Sequence, residues 1–316
     1  MEDIEVASSI PQTSEATLSV EELFVQFGDR KVLKGVNGKF ASGKVTALIG
    51  PTGCGKTTLL RCLNRLHDNR AGVRIDGRVL LNGDDIYDRG TNVRDLRRRV
   101  CMLFQRPNPF PQSIRENVSL GARIHGLWNR QTTPGRTEEV LRDVGLWDAV
   151  GDRLNSTPFM LSGGQQQLLC LARALAVEPE VLLLDEPTSS LDPHSTARIE
   201  ELLSELKRRM TVVFVTHNLQ QAARCADDVL FMLGGEVVEA APADQFFSSP
   251  VDARSRAYVE GRTAYPLQPS ADADSRTDPS GFDLGFPEGG FDAPETTRLA
   301  TIRNIAAAGG GPLDTR

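Results

Sequence analysis

The stretch VTALIGPTGCGKTTLLRCLNRL, residues 45–66, decides the fold. VTALIG predicts a buried strand, a glycine-rich turn follows it, and KTTLLRCLNRL has the apolar periodicity of a helix. The turn, Gly50 to Thr57, matches the pattern G-x-x-x-x-G-K-[ST] in full. A strand before this pattern and a helix after it are the context in which its backbone binds phosphate. We therefore predict a phosphate loop in an α/β protein.

The residue types of this loop suit a nucleoside triphosphate. Backbone N–H groups of Gly53, Gly55 and Lys56 are expected to hold the β-phosphate. The Lys56 ammonium would reach the β and γ oxygens, and the Thr57 hydroxyl would ligate Mg²⁺. The predicted nucleotide contacts in this segment are Gly50, Pro51, Thr52, Gly53, Cys54, Gly55, Lys56, Thr57 and Thr58.

VLLLDEP, residues 181–187, predicts the second half of a nucleotide site. Its apolar run places Asp185 at the carboxyl end of a buried strand, where open α/β sheets bind ligands. Asp185 is expected to hold Mg²⁺ through water. Successive residues of a strand point in different directions, so the adjacent Glu186 is expected to orient or deprotonate an attacking water.

Composition excludes several other classes of protein. The chain has 316 residues, 40% hydrophobic and 25% charged, and a net charge of −6, which gives no overall electrostatic footprint for nucleic acid. No apolar run approaches the length that crosses a bilayer, and the first residues lack the basic start and apolar run of a secretory signal. The five cysteines have no CxxC spacing, which favours reduced thiols over a metal site or a disulfide framework.

The pattern of the chain predicts an ordered core between two polar ends. Short antiparallel strands are expected from about residue 18 to 45, another strand pair around VRIDGRVLLNGDDI, and a closing hairpin at VLFMLGGEVVEA. Two apolar runs, VLLLD and TVVFVTH, predict parallel strands buried on both faces. The predicted segments are a flexible N-terminal segment at 1–17, an ATPase domain at 18–262 with a helical insert at about 107–160, and a disordered tail at 263–316.

The chain contains a second glycine-rich turn, which raises the question of why one polypeptide would carry two anion-binding turns. LSGGQQQLLCLARAL, residues 161–175, places Ser162, Gly163 and Gly164 before a predicted helix, which is the layout of an anion site without a lysine. His217, at the end of VVFVTH, and Gln105, after CMLF, are polar residues at predicted strand ends. A lone histidine in such a place is more often structural than catalytic.

The order of these motifs resembles the nucleotide-binding subunit of ABC transporters over about residues 18–250. The resemblance implies a P-loop NTPase (RecA-like) core with an N-terminal antiparallel β subdomain and an inserted helical subdomain. It also answers the question above. In that family two subunits face head to tail, and the Ser-Gly-Gly turn of each closes on the γ-phosphate held by the phosphate loop of the other.

The resemblance also implies roles for individual residues. Phe27 would stack on adenine, and Gln105 would ligate Mg²⁺ and sense the attacking water. Glu186, His217, Gln105 and Lys56 are then the catalytic candidates, and Thr57, Gln105 and Asp185 the metal ligands. The turn from the facing subunit would contribute Ser162, Gly163, Gly164 and Gln165, with Asp192 at the contact between subunits. Many relatives have a basic residue where this chain has Leu168.

Further segments resemble the ATP-binding subunits of bacterial and archaeal phosphate importers, including FQRPNPFPQSIRENV, whose Phe110 would face a membrane permease. This likeness implies ATP, Mg²⁺, a second copy of the chain, two permease subunits and an extracytoplasmic phosphate-binding protein. It implies a peripheral location on the cytoplasmic face of the cell membrane. Two alternatives stay open: an importer of another small solute, and a soluble ABC-type ATPase of DNA repair or translation. The residues themselves do not name the cargo.

Overall fold

A computed structural model describes residues 16–262. The flexible segment predicted before residue 16 and the tail predicted from residue 263 lie outside the described residues and stay predictions. The strands are β1 Ala16–Phe27, β2 Arg30–Ala41, β3 Val45–Ile49, β4 Val73–Leu81, β5 Asp84–Asp85, β6 Val100–Leu103, β7 Val181–Asp185, β8 Thr211–Val215, β9 Asp228–Leu233 and β10 Glu236–Pro242. The helices are α1 Lys56–Cys62, α2 Val93–Arg99, α3 Ile114–Ile124, α4 Thr133–Asp143, α5 Trp147–Val150, α6 Gly163–Leu175, α7 Pro193–Leu206, α8 Leu219–Cys225, α9 Ala243–Ser248 and α10 Ala253–Val259.

The strands form two sheets. The first is antiparallel, with strand order β2-β1-β4-β5, and the second has the order β10-β9-β3-β8-β7-β6. In the second sheet β9, β3, β8, β7 and β6 are parallel, and β10 joins β9 as an antiparallel hairpin. An antiparallel N-terminal sheet beside a mostly parallel α/β core confirms the predicted fold class.

The parallel sheet is buried on both faces, which explains its unbroken apolar strands. In β7, Leu182 and Leu184 pack with the helices on one face, whereas Val181 and Leu183 pack toward the first sheet. The same alternation holds in β8, where Val212 and Phe214 share the helix side and Val213 and Val215 face the first sheet. All five residues of β3, β7 and β8 are buried, so the pattern predicted for these runs is confirmed.

Several elements differ in extent from the sequence prediction. The first two strands are 12 residues each rather than short, because bulges between Val20 and Leu23 let a long strand twist over the core. The helix after the phosphate loop ends at Cys62, and residues 63–69 are turns. The predicted helix TEEVLRDVGLWDAV is divided at Gly145, whose φ of 76° is not helical.

The insert predicted at about 107–160 contains α3, α4, α5 and a short 3₁₀ turn, Pro158–Met160. Leu168 of α6 is only 7% exposed and packs in the core beneath these helices. Within residues 16–262, no helix has the length and apolarity required to span a bilayer. All five cysteines lie in this range and are free and buried, as the spacing predicts.

Candidate active site

The predicted catalytic and metal-ligand residues meet at the carboxyl ends of the parallel strands. Strands β3, β8, β7 and β6 are neighbours in that order, and each is followed at its carboxyl end by one of the sequence motifs. The phosphate loop follows β3, His217 follows β8, Asp185 and Glu186 end β7, and Gln105 follows β6. Residues more than a hundred positions apart therefore line one crevice, the usual ligand position in such sheets.

The phosphate loop is a compact turn whose shape depends on glycine. Gly50 has a φ of 147°, and a Cβ there would overlap the Met232 carbonyl. Gly55 has a φ of 109° directly before α1, a conformation that disfavours other residues. The Lys56 side chain is 6% exposed, and its Nζ donates hydrogen bonds to Gly50 O (2.8 Å) and Pro51 O (3.0 Å). The ammonium thus lies over the loop at the start of a helix.

Thr57 and Asp185 bring two oxygen donors together. Thr57 Oγ1 donates a hydrogen bond of 2.9 Å to Asp185 Oδ1, although the residues are 128 positions apart. Asp185 is 5% exposed, and burial raises the pKa of its carboxyl, with the Thr57 hydroxyl acting in the opposite direction. A hydroxyl and a buried carboxylate are hard oxygen ligands, and Mg²⁺ characteristically takes one or two carboxylates together with substrate phosphates. The oxygen donors of Thr57 and Asp185 are therefore of the kind that Mg²⁺ prefers.

Glu186 faces different neighbours from Asp185. Its Oε2 lies 3.1 Å from His217 Nδ1 and accepts a 3.4 Å hydrogen bond from Gln105 Nε2. Gln105 Nε2 also donates to Ser189 Oγ at 3.2 Å. Glu186 has a φ of 45°, a strained conformation for a residue other than glycine, and such strain concentrates at functional sites. The turn directs the two adjacent carboxylates to separate partners.

The second glycine-rich turn begins α6 with a reciprocal cap. Ser162 Oγ accepts from Gln165 N at 3.3 Å, and Gln165 Oε1 accepts from Ser162 N at 3.1 Å. The two glycines differ in their surroundings. A Cβ at Gly163 would meet nothing within 4 Å, whereas one at Gly164 would overlap the hydroxyl of Ser195 on α7. Gly163 therefore leaves the helix start open, and Gly164 lets two helix starts pack together.

Comparison with known proteins decides the family. A family model described as ABC transporter matches residues 33–189. The chain is 51% identical over 251 residues to a phosphate import ATP-binding protein, PstB 1, of Vibrio parahaemolyticus, which covers 79% of this chain and 92% of the relative. It is 52% identical over 248 residues to the PstB of Shewanella denitrificans, covering 78% and 91%. The chain belongs to the ABC transporter ATP-binding proteins.

Solved structures agree on the fold. The cbiO1 protein of Clostridium perfringens, described as part of the ABC transporter complex cbiONQ, aligns with a TM-score of 0.65 at 30% identity, over 75% of this chain and 92% of that one. A bacterial Atm1-family ABC exporter with ATP bound gives a TM-score of 0.66 at 22% identity, over 82% and 45%, a likeness of fold alone. As a member of this family, the chain is an ATPase that binds ATP.

Asp192, predicted at the contact between copies of this ABC ATPase, caps α7. Its Oδ1 accepts from the backbone N–H groups of His194 and Ser195, both at 3.0 Å, and its Oδ2 accepts from Ser195 Oγ at 2.7 Å. The Ser195 hydroxyl and these backbone bonds lower the pKa of Asp192. Since Gly164 packs on Ser195, the starts of α6 and α7 form one surface.

Sequence reasoning missed Gln167 of this ABC ATPase. Gln167 is fully buried, and its Nε2 donates to Phe104 O at 3.0 Å and to Pro187 O at 3.4 Å. Those carbonyls immediately precede Gln105 and follow Glu186. One side chain of α6 therefore joins the second glycine-rich turn to both catalytic strand ends. An uncharged polar residue on the apolar side of a predicted helix was the available signal.

Phe27 and Phe110, the two aromatic residues singled out from the sequence, both lie beside basic side chains in the structure. The Arg70 guanidinium lies 4.7 Å from the centroid of the Phe27 ring, and His67 meets the same ring edge-on at 5.3 Å. Phe27, predicted to stack on adenine, therefore shares its surroundings with two basic side chains. Phe110 is 41% exposed, and the Arg173 guanidinium lies 4.3 Å from its ring centroid. Arg70 and Arg173 were not predicted from the sequence.

Proposed function

We propose that this chain is the ATP-hydrolysing subunit of an importer of inorganic phosphate. The observation that carries the proposal is identity of 50 to 52% with phosphate import ATP-binding proteins over 90 to 92% of their length. The matches span 245 to 251 residues, so they are far longer than the nucleotide motifs alone. The convergence of six catalytic and metal-ligand candidates at the carboxyl ends of the parallel strands supports the ATPase activity itself.

In this proposal the phosphate loop and Lys56 bind the β- and γ-phosphates of ATP. Thr57, Asp185 and Gln105 would hold Mg²⁺, which would neutralise charge on the phosphates when bound. Glu186 accepts a proton from the attacking water. Gln105 and His217, which contact the Glu186 carboxylate, position that carboxylate. Catalysis is then chiefly positioning and electrostatic stabilisation of the transferred phosphoryl group.

Two copies of the chain complete each site in this proposal. The α6 start carries a serine and an open glycine but no lysine, so it can cap a γ-phosphate that another copy holds. A helix N-terminus is suited to this contact, since its N–H groups carry partial positive charge. ATP then brings the two faces together, and hydrolysis releases them. The proposed dimer drives a pair of membrane permease subunits, and the chain is a peripheral protein at the cytoplasmic face of the cell membrane.

Uptake of labelled phosphate tests the cargo. A strain lacking this gene is expected to lose most high-affinity phosphate uptake at low external phosphate, and the unaltered chain should restore it. The matched control is the Glu186→Gln chain, which should restore protein level and membrane association without uptake. Unchanged phosphate uptake in the deletion strain, with loss of uptake of a sulfate or amino acid label, would assign another small solute. Absence from the membrane fraction would favour a soluble ABC-type ATPase.

A further inference from the structure

A basic cavity of about 540 Å³ lies in the helical insert, between the two ends of α3 and the start of α4. This volume is within the roughly 300–1,000 Å³ range of small-molecule sites. Three of its lining residues are arginines, Arg115, Arg123 and Arg130, and none of its lining residues in the described chain is acidic. The whole protein carries a net charge of −6, so this wall is opposite in sign to the average of the chain.

Trp128 forms a fixed side of the cavity. The residue is 5% exposed, and it lines the cavity together with Arg115. The indole Nε1 of Trp128 and Nε of Arg115 are fully buried and have no acceptor among residues 16–262, so these two atoms lie behind the lining and do not face a bound molecule. The ring of Trp128, rather than its N–H, is therefore the part that a ligand would contact.

The positive charges of the cavity are largely uncompensated. Arg123 forms an ion pair with Glu116 at 3.0 Å, whereas Arg115 and Arg130 form no ion pair within the described residues. The 11-residue helix α4 begins at the cavity wall and has no acidic residue in its first turn. Its N-terminus therefore adds partial positive charge to that of the arginines.

We propose that this cavity binds a phosphorylated polyanion, a chain of two or more phosphate groups that is either free or carried by a nucleoside. Guanidinium groups present paired N–H donors that match phosphate oxygens, and three of them suit more than one phosphate group. The volume likewise exceeds that of a single phosphate. The Trp128 ring supplies an aromatic wall. This site is separate from the phosphate loop and goes beyond ATP hydrolysis.

Tryptophan fluorescence can report this site selectively. The chain has two tryptophans, Trp128 and Trp147, so Trp147→Phe leaves the cavity residue as the single fluorophore. Lys56→Ala in the same chain removes binding at the phosphate loop. Titration of this full-length double variant with inorganic tripolyphosphate is expected to give a saturable fluorescence change. The reciprocal chain, Trp128→Phe with Trp147 retained, should show none.

Substitution of the cavity arginines decides whether they form the site. Arg130→Ala and Arg115→Ala are each expected to weaken binding by about 10- to 100-fold, as loss of a hydrogen bond to a charged group does. Arg153→Ala, an exposed arginine of the same insert, is the matched control and should leave binding unchanged. Arg130 is itself exposed, so Arg130→Ala is expected to retain the melting temperature of the parent.

Titrations of the same double variant with other anions identify the form of the ligand. Tighter binding of tripolyphosphate than of GTP indicates a free phosphate chain, and the reverse indicates a nucleoside-borne one. Orthophosphate binding as tightly as tripolyphosphate would overturn the polyanion assignment. So would a response only to vesicles of phosphatidylglycerol, or one that sodium sulfate reproduces at matched ionic strength. Affinity unchanged by both Arg115→Ala and Arg130→Ala would overturn the site.

Discussion

At the scale of single residues, the site separates two adjacent carboxylates by environment. Asp185 is buried and bonded to the Thr57 hydroxyl. Glu186 is turned by its positive φ toward Gln105 and His217. Carboxylates placed in different environments can take different chemical roles. We propose ion binding for Asp185 and proton acceptance for Glu186, and each proposal predicts a distinct variant phenotype.

Replacing the proposed base should stop hydrolysis without stopping binding. Glu186→Gln keeps the size of the side chain and a hydrogen-bonding oxygen but removes the proton acceptor. ATP hydrolysis is expected to fall by about 10² to 10⁴-fold, and a dimer holding ATP should accumulate, visible by size-exclusion chromatography. Lys56→Ala is the control, since it should lose both ATP binding and the dimer. Hydrolysis at the parental rate in Glu186→Gln would remove the assignment.

Replacing the buried carboxylate should stabilise the chain while abolishing its activity. Burial raises the pKa of Asp185. A carboxyl whose pKa is raised by folding contributes stability below its unfolded pKa, and this is lost as pH rises through its folded pKa. Asp185→Asn keeps an acceptor for the Thr57 hydroxyl. Without metal or nucleotide, it should raise the melting temperature at pH 7 by about 2–4 °C for each kcal/mol relieved.

The pH dependence provides the check on Asp185. The advantage of Asp185→Asn should shrink as pH falls, because the parental carboxyl then becomes neutral as well. Thermal melts in EDTA between pH 4 and 7 measure this difference. A lower melting temperature of Asp185→Asn at pH 7 would contradict the burial argument. Hydrolysis in the presence of Mg²⁺ should be lost at every pH.

At the scale of elements, the two adjacent glycines at the start of α6 have different roles. One allows helix packing, and the other leaves the helix start accessible. Gly164 packs against Ser195 at the start of α7, whereas Gly163 faces open space. The sequence pattern predicts that both glycines free backbone N–H groups for an anion. The structure gives Gly164 a packing reason that only the neighbouring helix supplies. Gly163 remains the proposed point of approach for the γ-phosphate of another copy.

This difference predicts that replacing each glycine with alanine affects a different property. Gly164→Ala is expected to lower stability by about 1–3 kcal/mol, the usual cost of overpacking, as measured by urea unfolding. Gly163→Ala should leave the free energy of unfolding within about 0.5 kcal/mol of the parent and reduce ATP-dependent dimerisation and hydrolysis. If Gly163→Ala hydrolysed ATP at the parental rate, the proposed approach of the γ-phosphate would be wrong.

At the scale of the whole molecule, the proposed dimer would use each chain in two active sites, with the phosphate loop in one and the α6 start in the other. The phosphate loop and the α6 start are both intact, and Gln167 connects α6 to the strand ends beside Gln105 and Glu186. Movement of α6 upon contact with another copy would therefore be transmitted to the catalytic residues. In the proposed dimer, this connection would let dimerisation control hydrolysis.

Mixing two inactive variants tests the shared site. In Lys56→Ala the phosphate loop is inactive, and in Ser162→Arg the α6 start is blocked. A mixed dimer then has one doubly altered site and one unaltered site, so an equal mixture should recover up to about a quarter of the parental rate through its mixed pairs. Each variant alone is the control and should be inactive. No recovery in a mixture shown to contain mixed dimers would contradict head-to-tail sharing.

The sequence by itself determined the fold class and identified the candidate site residues. The phosphate loop between a strand and a helix, and the apolar runs ending in Asp185 and His217, are local patterns, and local patterns record burial and turn geometry directly. They predicted the fold class and the residues that line the crevice. They also placed strand ends at which parallel neighbours bring distant side chains together.

Only the tertiary structure decided which side chains touch. The hydrogen bond between Thr57 and Asp185, the contacts of Gln167, and the packing of Gly164 on Ser195 join residues distant in sequence. The basic cavity likewise requires both ends of α3 to meet the start of α4. Periodicity cannot supply these pairings, because it describes one element at a time, whereas contacts depend on how strand order and helix packing bring separate elements together.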